Sequence, residues 1–297
     1  MRRWRVLVTV AVLWVALAIV GLQAQPGQQG RERRLVVASY NIHHGSGNDE
    51  CTTPPAEPGQ PPNPDCSLDL GRIAQVIRAL NAEVIGLQEV DRFWARSGDV
   101  DQPRALARML HMHPCYGANL DHPADSHANV PHQYGTAILS RWPIHGCENT
   151  LLPRTDPGNE QRGLLEARIT VRGVRLHFAN THLQHDSVDD RIVQAQTIAD
   201  RIATVEEPVI LVGDLNAIPT EESLPPLFGL LTDAWVVGGD GDGFTIPARP
   251  GVLPDRRIDY VLVSPSVSVH AAIVAITDET RLASDHYPVV AGIAVPR

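Results

Sequence analysis

The segment GDLNAIP, residues 213–219, follows the apolar run PVILV and sets Asp214 and Asn216 two positions apart at what reads as the end of a buried strand. Residues two apart on a strand share a face, so both side chains are expected to point into one place. The same habit recurs along the chain. VVASYN ends at Asn41, just before His43 and His44. VIGLQ runs into Glu89. LHFANT carries Asn180 and runs into His182. RIDYVLV holds Asp259 near its start, and LASDHYPVV sets Asp285 and His286 before the last apolar run. One Asp or Asn at a strand end is ordinarily a turn or a cap, and one His ordinarily a hydrogen-bonded structural residue. Repetition of the pattern at six strand ends exceeds what turns require.

The residue types define a chemistry. The carboxylates are hard oxygen donors suited to Mg²⁺, Mn²⁺ or Ca²⁺, and Mg²⁺ is usually held by one or two of them with water and substrate phosphate completing its shell. The two histidines exchange a proton near neutral pH. Asn offers a neutral donor to a phosphate oxygen, and Arg162 in NEQRGLLEA adds a fixed positive charge. Asp259 accepting from one ring nitrogen of His286 would leave the other free to take a proton, the orienter–base logic of hydrolytic triads. Metal, base, acid and donors together describe hydrolysis of a phosphate ester. His111 and His113 in HMHPC could pose as a metal pair, but their place near a helix end favours a structural reading.

The elements that must position these groups are readable from periodicity. Leu70, Ile73, Ile77 and Leu80 form a helical stripe, QPRALARML opens with Pro103 at a helix-starting position, and DDRIVQAQTIADRIATV is amphipathic. LVVASYNI, EVIGLQ, YGTAILS, LLEARITV, VRLHFANT, PVILVGD, RIDYVLVS, VSVHAAIVAI and YPVVAGIAV read as strands. Strands that neighbour like hairpins, mixed with strands separated by helices, give a mixed-sheet α/β or α+β architecture. No Gly/Pro-rich break divides the chain after residue 69, so residues 35–297 are expected to be one domain. Residues 45–68, 111–133 and 238–256 lack periodicity and read as loops that choose the substrate.

The N-terminus reads as an export signal. MRRWR is followed by an apolar stretch at residues 6–22 and then QAQPGQQG, which places cleavage near Ala24 and leaves residues 25–34 as a polar linker. Retained, the same stretch would be a membrane anchor, so the chain is expected to be secreted or held outside the cytoplasm at a membrane. Every one of the 25 basic residues is Arg, and the formal net charge of −9 argues against a broad basic surface for wrapping nucleic acid. The four cysteines, 51, 66, 115 and 147, include no C-x-x-C pair. In an exported chain they suggest disulfides. Cys51–Cys66 would close a Pro-rich loop, and Cys115–Cys147 is the other pair of that arrangement.

In order, YNIHHG, LQEVD, YGTAILSRWPI, QRGLLEA, NTHL, GDLNAIP, RIDYVLVS and SDHYPVV closely resemble the endonuclease/exonuclease/phosphatase superfamily, over roughly residues 35–295. The resemblance implies a four-layer sandwich of two mixed sheets packed face to face with helices outside. It implies Glu89 as the principal Mg²⁺ ligand (Mn²⁺ as a substitute), with Asn41 beside it and Asp285 near the metal. Asp214 and Asn216 match the pair that orients water and the scissile phosphate. His286 matches the general base or phosphate-contacting His, and Asp259 its orienting carboxylate. His182 matches the second His, and Arg162, Asn180 and His43 the phosphate contacts. One departure stands out. The deoxyribonuclease branch supports the second His with a Glu, where this chain reads HQYGTA without a carboxylate.

The partner implied is a phosphate-ester substrate (DNA or RNA, a phospholipid, or a small organophosphate), acted on by a monomer that the N-terminus could hold at a membrane. Arg96, Ser97, Asp101 and Gln102 also resemble a pattern in proteins tied to glycosylphosphatidylinositol-anchor remodelling, and equally read as a structural turn. A non-catalytic binding module on the same fold is the alternative of a different class; the full set of site residues argues against it. EDTA should abolish turnover and Mg²⁺ or Mn²⁺ restore it, with Glu89→Gln crippling the same step in a folded protein; full activity in EDTA rules the metal out.

Overall fold

The computed structural model describes residues 32–48, 68–124 and 130–296. The apolar run at 6–22 and the segment bounded by Cys51 and Cys66 lie outside the described residues. Twelve strands among them form two six-stranded sheets. The first holds β1 (Glu32–Asn41), β2 (Val84–Arg92), β3 (His113–His122), β4 (His132–Ser140), β11 (Ser268–Val274) and β12 (Val289–Pro296), in the order β11-β12-β1-β2-β4-β3. The second holds β5 (Ile144–Leu151), β6 (Gly163–Val171), β7 (Val174–His182), β8 (Val209–Asp214), β9 (Thr232–Asp233) and β10 (Asp259–Val263), in the order β5-β6-β7-β8-β10-β9. Each sheet has one parallel pair, β1 with β2 and β7 with β8; the other neighbours are antiparallel.

Strand alternation sorts the side chains into layers. Val37, Val84, Ile138, Leu165, Phe178, Val212 and Val261 fill the space between the sheets. Tyr40, Ile85 and Leu87 face the other way, onto helices α1 (Leu70–Leu80) and α2 (Gln102–Leu110). Ala179, Leu211 and Leu262 pack against α3 (Val188–Ile202) and the short α4 (Pro225–Phe228). Two further short helices, α5 (Ala234–Gly238) and α6 (Asp278–Ala283), complete the set. The result is the four-layer sandwich expected. Helix α1 shows why the sequence folds so: the Asp69 carboxylate accepts from the Arg72 N–H as N-cap, Ile73, Ile77 and Leu80 are buried, and Asn81 ends the helix in the left-handed region.

Two boundaries differ from the sequence reading. Glu32–Arg34, expected in the linker, already pair with Ala294–Pro296. Strand β3 occupies part of the expected loop 111–133, and Cys115 on it bonds to Cys147 on β5, so the disulfide ties one sheet to the other. Of the two expected pairings, Cys115–Cys147 is thus the one the described residues contain.

A polar seam fixes how the sheets sit. The Asn180 side-chain amide donates to the carbonyls of Leu87 and Ala137, both at 2.9 Å, and its oxygen accepts from Gln88 Nε2 at 2.7 Å. Gly86 makes room for it, since a Cβ there would stand 2.3 Å from Val212 Cγ2 and 2.8 Å from the Asn180 side chain. Gly86→Ala should therefore destabilise the fold by about 1–3 kcal/mol, the ordinary cost of overpacking. Urea denaturation should show a lower midpoint at unchanged slope; an unmoved midpoint would mean that the seam has room to spare.

Candidate active site

Both parallel pairs end at the same rim of the inter-sheet space, the place where open parallel sheets bind ligands. Asn41 closes β1 and His182 and Asp214 close β7 and β8. The antiparallel neighbours begin there: Asp259 opens β10 directly opposite Asp214, and His286 precedes β12. Asn41, Asp214 and Asp259 extend the inward-facing series of Val37, Val212 and Val261, Asn41 and Asp214 as the last inward residues of their strands and Asp259 as the first of its own.

Glu89 arrives differently. It lies inside β2, where the register against β4 shifts between Leu87 and Val90, so that Gln88 and Glu89 oppose one residue. Glu89 has φ of +56°, and this bulge turns its carboxylate toward the rim instead of the helix layer. His43, His44 and Asn216 also adopt left-handed backbone, with φ of 44°, 43° and 49°. Such conformations are costly for residues other than Gly and cluster at functional sites.

The groups converge. The Asn41 amide donates to Glu89 Oε1 and to Asp214 Oδ2, both at 3.0 Å, and its oxygen accepts from the His43 N–H at 3.0 Å. His286 Nδ1 bonds Asp259 Oδ2 at 2.9 Å. Asp214 Oδ2 lies 3.5 Å from His182 Nε2 and 3.7 Å from His286 Nε2. Asp214 Oδ1 accepts from the Asn216 N–H at 2.9 Å. Ser284 Oγ donates to the Asn41 carbonyl at 2.8 Å, which locks the His286 turn to the end of β1.

Electrostatics follow from burial and this packing. Burial raises the Asp214 pKa, the facing Asp259 charge adds to it, and the net value is about 7. Burial opposes the charged form of His286, but Asp259 and Asp214 outweigh it and hold the ring's pKa well above the ordinary histidine value. Burial and the Arg162 charge push His182 well below that value. Burial opposes ionisation of Glu89 too, yet the rings of His44 and His43 beside it hold its pKa well below the usual range.

A divalent cation fits this rim. Glu89 is an ionised oxygen donor, and Glu89, His43 and His44 place ligand atoms within 4.8 Å of one another; Asn41, expected as a ligand itself, turns its NH2 to Glu89 and its oxygen to the His43 N–H, so it orients the carboxylate. The buried His43 Nδ1 has no partner. His44, whose Nδ1 lies 3.9 Å from Glu89 Oε2, was not singled out beforehand; the doubled HHG next to Asn41 was the available signal. Asp214, Asp259 and His286 form a second close group, better read as a hydrogen-bonded proton cluster because Asp259 Oδ2 already takes His286 Nδ1.

Four further expectations need correction. Asn180 lies one pleat too deep: it shares a face with His182, but its amide is consumed by the seam, so it does not reach phosphate. Arg162 is 3% exposed and stands behind His182, where it bonds Nδ1, Gln184, His185 and Glu160 instead of facing the rim. Asn216 is off the strand, so the alternation argument fails for it; its amide donates to the Leu183 carbonyl and its backbone orients Asp214. Asp285 belongs to neither ligand cluster; it adjoins His286 and its carbonyl accepts from the Ala248 N–H. The Arg96–Gln102 pattern is a brace. Arg96 donates twice to buried Asp91 at 2.8 Å, and Gln102 accepts from the Asp91 N–H while donating to the His44 carbonyl. His111 caps α2 in the left-handed region and His113 opens β3, a structural pair.

The model of the Endonuclease/Exonuclease/phosphatase family matches residues 38–286. Among curated proteins, Cwh43 of Schizosaccharomyces pombe is 29% identical over 143 residues, which are 48% of this chain and 14% of that protein. The chain thus spans a small part of that relative's length. YbhP of Escherichia coli K12 is 27% identical over 240 residues, 75% of this chain and 88% of its own. A solved endonuclease/exonuclease/phosphatase structure from Beutenbergia cavernae DSM 12333 superposes with a TM-score of 0.64 at 29% identity, covering 89% of this chain and 72% of that one.

The raised Asp214 pKa has a consequence for stability. The folded state holds a proton there that the unfolded chain releases near the ordinary Asp value of about 3.9. That stability is complete below the unfolded value and is lost as pH rises through about 7. His286, also raised, acts in the same direction above its ordinary value. In EDTA, Tm should therefore fall between pH 5 and 8, and Asp214→Asn should flatten the slope and raise Tm at pH 8. A variant as pH-sensitive as the parent would overturn the assignment.

Proposed function

Because the chain belongs to the endonuclease/exonuclease/phosphatase family, a family of phosphate-ester hydrolases, we propose that it is an exported, Mg²⁺-dependent phosphoesterase acting on a phospholipid head group or a small organophosphate. The observation that carries this reading is the convergence of His182 Nε2 and His286 Nε2 on Asp214 Oδ2, beside the ionised Glu89. One face of the rim offers a cation site and the other a proton-handling cluster.

Glu89 would hold the metal with His43 and His44 at its side, and Asn41, which donates to the Glu89 carboxylate, would orient it. Bound there, Mg²⁺ would offset phosphate charge and lower the pKa of a ligated water. The chain's own residues handle the proton. Asp214 and His286 lie 3.7 Å apart with Asp259 behind the ring, so they titrate as one unit. Asp214, near pH 7, is poised to accept the proton of the attacking water, which His286 then shares. Asn216 keeps Asp214 in place through its backbone N–H. His182 faces the same oxygen from the other side and donates toward the phosphate.

The choice of substrate rests on charge. The net negative charge and the absence of Lys disfavour a long nucleic-acid track, which needs several phosphate contacts by basic side chains. Export and an N-terminal apolar run favour lipid or envelope substrates.

His286→Ala should lower kcat by about 10²–10⁴-fold, the usual contribution of a positioned acid or base. The purified protein would be incubated with Mg²⁺ and, separately, phospholipid vesicles, soluble sugar or alcohol phosphates, and plasmid DNA. Release of phosphorylated head groups or inorganic phosphate, absent in His286→Ala, supports the reading. Nicked DNA as the dominant product replaces it with a nuclease, and undiminished turnover by His286→Ala overturns the mechanism.

A further inference from the structure

Arg162 donates from its guanidinium to His182 Nδ1 at 3.1 Å. A guanidinium has five N–H donors, no acceptor, and does not deprotonate in proteins. The nitrogen it meets must therefore be bare. A flipped ring would set a carbon against the guanidinium and lose the contact. The Arg162 fork is itself fixed: Nε–H donates to Gln184 Oε1 at 3.2 Å, the terminal nitrogen that meets His182 also lies 2.9 Å from the Glu160 carboxylate as an ion pair, and the other meets His185 Nδ1 at 3.2 Å.

His286 is prepared in the opposite sense. Its Nδ1 meets Asp259 Oδ2, a carboxylate that accepts, so this nitrogen carries the proton. Two imidazoles thus face one carboxylate oxygen from two sides, at 3.5 and 3.7 Å, with opposite proton placements.

We propose that Arg162 is a positioning residue that fixes His182 as the neutral tautomer with bare Nδ1 and protonated Nε2, making it a permanent hydrogen-bond donor to the substrate phosphate, while His286 serves as the proton-exchanging ring. This rests on the phosphoesterase reading of the same site and goes beyond it by dividing the labour of the two rings. It also accounts for the missing carboxylate in HQYGTA. A carboxylate behind His182 would favour the imidazolium and a proton-donating acid; an arginine excludes it. Burial of the ring and the Arg162 charge both lower the His182 pKa, in agreement. At 3.5 Å the Nε2–H makes no full hydrogen bond to Asp214, which leaves it available to a phosphate oxygen.

The test reads the tautomer directly. Long-range ¹H–¹⁵N correlation spectra of the protein labelled at histidine, assigned with His182→Gln, report which ring nitrogen carries the proton without any substrate. The expected result is a bare Nδ1 and a protonated Nε2 for His182, unchanged across pH 6 to 8. A protonated Nδ1, or an imidazolium that titrates in this range, overturns the proposal even if the protein proves to be an active phosphoesterase. The kinetic counterpart is Arg162→Met, expected to lower kcat by about 10- to 100-fold with KM nearly unchanged, as a misplaced catalytic group does. Arg162→Lys, which keeps a donor, should recover part of the loss. A rise in KM at constant kcat would make Arg162 a binding residue instead. Loss of the bare-Nδ1 signal in the Met variant with its fold intact ties the tautomer to Arg162, and its survival there overturns that link.

Discussion

Two carboxylates face each other across neighbouring strands in a buried setting: Asp214 on β8 and Asp259 on β10, register partners with almost no solvent. Like charges directly opposite repel, and burial strengthens the repulsion. Much of the rim can be understood as the management of this one conflict. His286 is drawn in by Asp259, which accepts from its Nδ1. Asn41 reaches across from the other sheet to donate to Asp214, and the Asn216 backbone donates to its second oxygen. The same frustration that disfavours the folded state is what makes a carboxylate near neutral pKa available for chemistry, so the site's usefulness and its cost have a common origin.

The two halves of the site belong to different sheets. Asn41, Glu89 and the His286 turn hang from the first, and His182, Asp214 and Asp259 from the second. Apolar packing between sheets tolerates small slides, but the Asn180–Gln88 seam specifies partners at hydrogen-bond length and so fixes one register. The disulfide between β3 and β5 adds a covalent tie toward the outer edges of the sheets. Precision at the rim is therefore a property of the interior between the sheets as much as of the catalytic residues.

Much of this could be read from the chain because buried strands are long apolar runs, and a polar residue that ends such a run stands out. That logic located Asn41, His182, Asp214 and Asp259, and the helical stripe at Ile73, Ile77 and Leu80 was equally plain. What escaped has physical reasons. Strand β3 alternates Cys115, Gly117 and Asn119 on its buried side, small or polar residues that carry no hydrophobic period. Glu89 owes its direction to a bulge that residue types do not announce. Asn180 and His182 share a face, and only depth along the strand, about 6–7 Å between residues two apart, separates a structural amide from a catalytic ring. The partner of His182 could not be found by looking for a carboxylate, since an arginine from β6's approach takes that place.

The chain's path places both ends of the domain side by side, with Glu32 opposite Pro296 in the β1–β12 pair, while Asn41 at the other end of β1 touches the rim. Ten strand residues span about 33 Å. A leash attached ahead of Glu32 would hold the domain by its base, with the active mouth pointing away from the point of attachment. Whatever chain precedes Glu32 or follows Pro296 therefore joins the domain at the end remote from the rim, where its bulk or its attachment would leave the approach to the site open.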